Sequence, residues 1–142
     1  VFDLWNGYHR TAAATAVRSS SASWSYETEA WRAAEGSATY RCTMVLGLPG
    51  VVRASYQGAA ALGSPATEAG IGIARNGTAP HVASAHFTAG GSGNRTGLHV
   101  SYAELVPAGR HTVQAVENGT AGAVFHGASG KTLSGLLVEL EM

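Results

Sequence analysis

Apolar and polar residues alternate along this chain in short bursts that return from Ser23 to Met142. In Tyr40-Arg41-Cys42-Thr43-Met44-Val45-Leu46, the residues Tyr40, Cys42, Met44 and Leu46 fall on one side of an extended backbone. Successive strand side chains point to opposite faces, so such a burst buries one face and wets the other. Gly, Pro, Asn and Ser clusters separate the bursts, and no long stretch repeats at helical spacing. The pattern predicts an all-β chain.

The bursts can be followed in order. Ser23 to Trp31 reads as a strand with Trp24 and Tyr26 on one face and Glu27, Glu29 and Trp31 on the other. After the Leu48-Pro49-Gly50 turn, Val52, Ala54 and Tyr56 share a face of Val51 to Leu62. From Glu68 to Ala74, Ile71 and Ile73 face inward, while Gly70 and Gly72 let a neighbouring backbone come close. Asn76-Gly77 and Asn118-Gly119 are hairpin signals. Val82 to Ala89, Leu98 to Tyr102, Arg110 to Asn118 (Val113 and Ala115 inward), Ala121 to Gly127 and Lys131 to Met142 complete the set. With no helical crossover, about nine strands close as an antiparallel two-sheet jelly-roll sandwich. This domain is expected over 23–142. Residues 1–22 read as an N-terminal extended arm or linker, with a short helical turn across Thr11 to Val17.

At 142 residues the chain supports one domain with a two-layer core. It is 45% apolar but only 13% charged, about half the usual charged share. A surface of small, uncharged residues suits coverage by sister copies, hence an expected homo-oligomer; a GC-rich coding sequence gives the same bias. Net charge is zero and the nine Lys and Arg residues are scattered, so no basic stripe offers itself to nucleic acid. The single cysteine, Cys42, forms no internal disulfide and no Cys-based zinc site, and reads as core. No apolar run approaches the roughly 18 residues of a membrane span. The start at Val1 is expected to be a processed or fragment terminus.

Chemistry is sparsely signalled. His81 and His86 fall on opposite strand faces, His99 and His111 lie in separate strands, and no His-x-His or His-Glu-x-x-His spacing occurs. There is no Gly-x-Ser-x-Gly elbow. Glu27 and Glu29 share a strand face and form the one carboxylate pair open to glycoside hydrolysis, but solvation explains them as well. The reading is therefore no catalytic residue, no metal and no cofactor. Asn76, Asn94 and Asn118 begin Asn-x-Thr sequons, although at Asn76 and Asn118 the same letters are what a turn favours. Loops on a rigid sandwich carry recognition. Binding is accordingly expected at the loop Gly90, Gly91, Ser92, Gly93 and Asn94, at the hairpin tips Asn76 and Asn118, and at an exposed Trp31. The aromatic cluster Phe2, Leu4, Trp5 and Tyr8 is expected to be an assembly arm.

From Ala30-Trp31-Arg32 through Tyr40-Arg41-Cys42-Thr43-Met44-Val45-Leu46-Gly47-Leu48-Pro49-Gly50, the chain resembles small jelly-roll domains of tailed-phage and prophage virion surface proteins. Val106-Pro107-Ala108-Gly109-Arg110-His111-Thr112-Val113-Gln114 is similar to a turn-then-strand near the end of such domains. Thr132-Leu133-Ser134-Gly135-Leu136-Leu137 resembles their last strand and, loosely, that of C1q/TNF-like trimeric jelly rolls. The resemblance covers Ala30 to Met142. It implies a non-enzymatic virion structural protein, such as a fibre or spike tip or a capsid decoration. Such a protein would be trimeric, held to other virion proteins through residues 1–22, exposed on the virion surface and able to bind host-surface polysaccharide. A stand-alone carbohydrate-binding lectin is the alternative, and a glycan hydrolase the third reading.

Overall fold

A computed structural model describes residues 2–4, 12–63, 68–87, 95–127 and 134–141, with backbone alone at 2–4 and 83–87. These residues form twelve β-strands, one short 3-10 turn at Ala34–Gly36, and no α-helix. The strands are β1 (Phe2–Leu4), β2 (Ala13–Arg18), β3 (Ser23–Ser25), β4 (Arg32–Ala33), β5 (Arg41–Leu46) and β6 (Gly50–Leu62). They continue with β7 (Glu68–Arg75), β8 (Pro80–Phe87), β9 (Arg95–Val106), β10 (Gly109–Gly119), β11 (Ala123–His126) and β12 (Gly135–Glu141).

Two sheets result, and together they are the all-β antiparallel sandwich that the alternation predicts. The first runs β5-β10-β7-β8. Short β4 pairs with β10 beyond the end of β5, and β1 lies parallel on the outer edge of β5. The second runs β2-β12-β6-β9, all antiparallel; β11 follows β12 along the same flank of β6 and carries β3. Strands adjacent in sequence mostly lie in opposite sheets, so the chain keeps crossing the core. Only β7 and β8 form a hairpin, through the turn at 76–79. The count exceeds nine because β1 and β4 are pairings of three and two residues, too short to leave a pattern, and because β2 lies in the stretch expected to be an arm.

The alanine-rich stretch is where local expectation gives way. Ala13–Arg18 is an edge strand, with residues alternately half-buried and exposed, paired to β12 from Ala13↔Leu140 to Arg18↔Gly135. The β-branched Thr15 and Val17 suit a pleated surface, and the open edge of β12 supplies hydrogen bonds that an isolated helical turn could not match. Residues 13–18 of the presumed arm thus lie within the second sheet.

The core fills the space between the sheets with Val52, Ile71, Ile73, Leu98, Val113, Leu136 and Val138 around an aromatic centre. Tyr40 meets Tyr56 edge-on with ring centroids 5.4 Å apart, and Trp24 lies 6.2 Å from Tyr40 and 6.3 Å from Phe125. Each fully buried aliphatic side chain contributes about 1.5–3 kcal/mol. The Tyr40 hydroxyl finds its partner in Ser134 Oγ at 2.9 Å. Gly72 permits the close approach expected of it: a Cβ there would stand 2.8 Å from the Val82 carbonyl oxygen.

Candidate functional site

Strand parity brings three charged residues inward. On β10, Glu117 falls on the face of Val113 and Ala115; on β7, Arg75 follows Ile71 and Ile73; on β9, Glu104 follows Val100 and Tyr102. They make two ion pairs at different places between the sheets.

The first pair is closed. Glu117 is fully buried, and its carboxylate accepts from Arg32 Nε at 2.9 Å, Arg32 Nη2 at 2.8 Å and Trp24 Nε1 at 2.8 Å. Trp24 comes from the second sheet and Glu117 from the first, so one of these bonds ties the layers together. The Arg32 guanidinium also lies 3.7 Å above the centre of the Tyr26 ring. Burial pushes the Glu117 carboxyl above its ordinary value; the bonds from Trp24 and Arg32 and the Glu35 backbone amide work in the other direction.

The second pair is open. Arg75 Nη2 donates to Glu104 Oε1 at 3.0 Å across the seam between β8 and β9, edge strands with no second partner among the described residues. The Arg75 side chain is 18% exposed and that of Glu104 34%. Five buried side-chain polar atoms lack a hydrogen-bond partner among the described residues, and three of them belong to this seam: Arg75 Nε, Glu104 Oε2 and the Tyr102 hydroxyl. Burial, then the Glu104 charge, raise the Tyr102 phenol above its usual range, with Arg75 opposing. The exposed His81 ring covers Tyr102, 6.2 Å between centroids and 8° from parallel.

A rigid frame holds this end of the sandwich. Asn76 adopts a left-handed φ of 58°, which Asn tolerates better than most residues. Its amide N–H donates to Thr112 O at 2.8 Å, and its Oδ1 accepts from the Thr112 N–H at 2.9 Å. His111 Nε2 lies 2.9 Å from Pro107 O, which can only accept, so Nε2 carries the proton and Nδ1 accepts from Asn76 Nδ2 at 3.3 Å. Gln114 donates to Gly77 O and accepts from Arg41 Nε. The turn at 76–79 is thereby bolted to β10 directly beside Arg75.

The residues expected to bind fall in different places. Asn76 is exposed at a hairpin tip as expected, although its side chain is committed to Thr112 and His111. Asn118 is no hairpin tip: it lies within β10, opposite Gly70, and a Cβ on Gly70 would stand 2.5 Å from its Oδ1. β7 offers partners as far as Ala69, so β10 runs on, and the turn comes later, around Gly122 with φ 83°. Trp31 is half-buried rather than exposed, its ring edge over Gly70. The strand expected through it ends at Ser25, because the chain crosses there from one sheet to the other. Glu27 and Glu29 are exposed, within this crossing. Gly90, Gly91, Ser92, Gly93 and Asn94, and likewise Trp5 and Tyr8, lie outside the described residues. Phe2 and Leu4 are described by backbone alone, in β1.

A second opening lies along the opposite seam, where Ala13, Thr15, Cys42, Met44, Val138 and Leu140 line an apolar cleft between β2 and β5. Burial raises the Cys42 thiol there. Among the described residues no three His, Cys, Asp or Glu side chains gather where a metal ion could sit, and no helix is long and apolar enough to cross a membrane. No family model matches the sequence, and no curated protein matches it.

Proposed function

We propose that this chain is a non-enzymatic structural module of a phage virion, a jelly-roll knob that works as a homo-oligomer and attaches to host-surface polysaccharide. The observation that carries the reading is the outer face of β2-β12-β6-β9. One row across it reads Ala16, Leu137, Ser55, Ser101; another ends in Val51 and Leu105. Leu105 is 68% exposed and Leu137 37%. The rows beside them carry Glu139, Arg53 and the exposed Arg53–Glu141 pair, and exposed leucines among small side chains, framed by charges, suit a sister copy better than water. The strand orders β2-β12-β6-β9 and β5-β10-β7-β8 support the jelly-roll winding, and with it the resemblance to virion surface domains. Three-fold assembly, attachment to other virion proteins through residues 1–22 and display on the virion surface follow from that resemblance.

Sedimentation equilibrium of the wild-type chain against Leu137→Glu tests the reading. A trimer that falls apart when a charge enters the face supports it. A wild-type monomer at micromolar concentration overturns it and favours the stand-alone lectin, for which the open seam at Tyr102 is the specific observation.

A further inference from the structure

The geometry points to a saccharide subsite in the seam between β8 and β9, built from Arg75, Glu104, Tyr102 and His81. It rests on the attachment reading above and names the site and the ligand group it would grip. Arg75 and Glu104 neutralise each other through one bond, 3.0 Å long. The pair therefore attracts neither a phosphate nor a cation strongly. It still leaves one donor, Arg75 Nε–H, and one acceptor, Glu104 Oε2, without a partner, and the Tyr102 hydroxyl beside them is also unused.

A hydroxyl is the group that meets such a demand, since it donates and accepts at once. One ligand hydroxyl would donate to Glu104 Oε2 while accepting from Arg75 Nε. A neighbouring hydroxyl on the same ring would pair with Tyr102. A vicinal diol of a neutral sugar carries both. His81 supplies the cover: it is exposed and lies flat on Tyr102, and turned aside its ring becomes a wall on which a sugar can pack. Leaving three buried polar atoms empty costs about 1–3 kcal/mol each, so the seam gains from any guest that satisfies them. Movement of the exposed His81 ring is the step that admits one, and the bonded frame of Asn76, His111 and Thr112 keeps the remaining wall in place.

The test titrates the full chain, in its native assembly, with the methyl glycosides of glucose, galactose, mannose and rhamnose in the millimolar range, following the His81 ring protons by NMR. The expected result is a saturable shift at His81 for at least one glycoside. Glu104→Gln, Tyr102→Phe and the surface change His81→Ala should each weaken binding about tenfold, the worth of one lost contact. Inorganic sulfate should not compete. Saccharide binding that leaves His81 unshifted and ignores all three variants overturns the subsite while the attachment reading survives. Sulfate displacing the glycoside overturns the neutral-diol assignment. Binding of none of the four glycosides, nor of host-cell polysaccharide, overturns both. An unshifted His81 together with a Tyr102→Phe variant less stable than wild type marks a site filled by structural water, and that also ends the proposal.

Discussion

Two ion pairs lie between the layers of this sandwich, Arg32–Glu117 within the first sheet and Arg75–Glu104 from one sheet to the other, and they differ in a further respect that matters. Glu117 lies where the chain crosses between sheets, wrapped by Trp24, Arg32 and Tyr26, and every strong donor near it is used. Glu104 lies at an open seam between two edge strands, and its pair leaves two polar atoms, with the Tyr102 hydroxyl a third, without partners among the described residues. A buried charge whose bonds are all made resists disturbance; a half-buried one with bonds to spare is suited to a guest. The same residue types thus act as a fastener at one place and as a candidate grip at the other.

The largest effect expected is at the fastener. Glu117→Ala strips the acceptor from Arg32 and Trp24 and should cost about 3–5 kcal/mol in urea unfolding. Glu104→Ala, at a seam where Arg75 can turn to water, should cost about 1 kcal/mol or less; similar losses at the two sites would erase the contrast. Next comes Trp24→Phe, which keeps most of the ring but leaves Glu117 Oε2 without its donor. A loss of about 1–3 kcal/mol is expected, and a neutral result would mean the sheets are not tied there.

Acid should separate the pairs further. The folded Glu117 carboxyl holds its proton to higher pH than its ordinary value of 4.5. The stability this brings is fully present below the unfolded value and is lost as pH rises through the raised folded one. Glu117→Gln should flatten thermal stability across that window; a slope unchanged in Glu117→Gln would refute the assignment. The smallest effect belongs to Tyr102→Phe. Removing a hydroxyl that has no partner should leave the melting temperature unchanged or raise it by up to about 1 kcal/mol equivalent.

Much of this scaffold is legible in the sequence, and the reason is parity. β5 and β12 carry an uninterrupted alternation against a continuous core, and β6 carries one from Val51 to Gln57, so their inward faces can be named from the letters alone, while β7 is buried on both faces and shows its inward side only through Ile71 and Ile73. β3 and β4 are different: the strand read from Ser23 to Trp31 stops at Ser25 where β11 no longer offers it an edge, and the two residues of β4 cannot show a period and pair because β10 offers them one. Asn118-Gly119 misleads for a related reason, since its turn propensity is overridden by pairing with Gly70 and Ala69. The site residues were also within reach. Arg75, Glu104 and Glu117 each break the alternation on an inward face close to the end of a long strand. A charge in that position must find a partner inside the fold, from a neighbouring strand as Glu117 does in Arg32 or from the opposite layer as Arg75 does in Glu104, a stronger pointer than exposed loops or turn letters.

Amide hydrogen exchange compares the two places in one experiment. Val116 and Glu117 are paired on both sides and Asn118 with Gly70, in a strand fastened through Trp24, so their amides should exchange only when the whole domain unfolds. Tyr102, Ala103 and Glu104, on an edge strand at the seam, should exchange faster through a local opening, the motion that admits a guest. Protection at Tyr102–Glu104 equal to that at Val116–Asn118 would mean the seam does not open, and would contradict the division of roles between the two pairs.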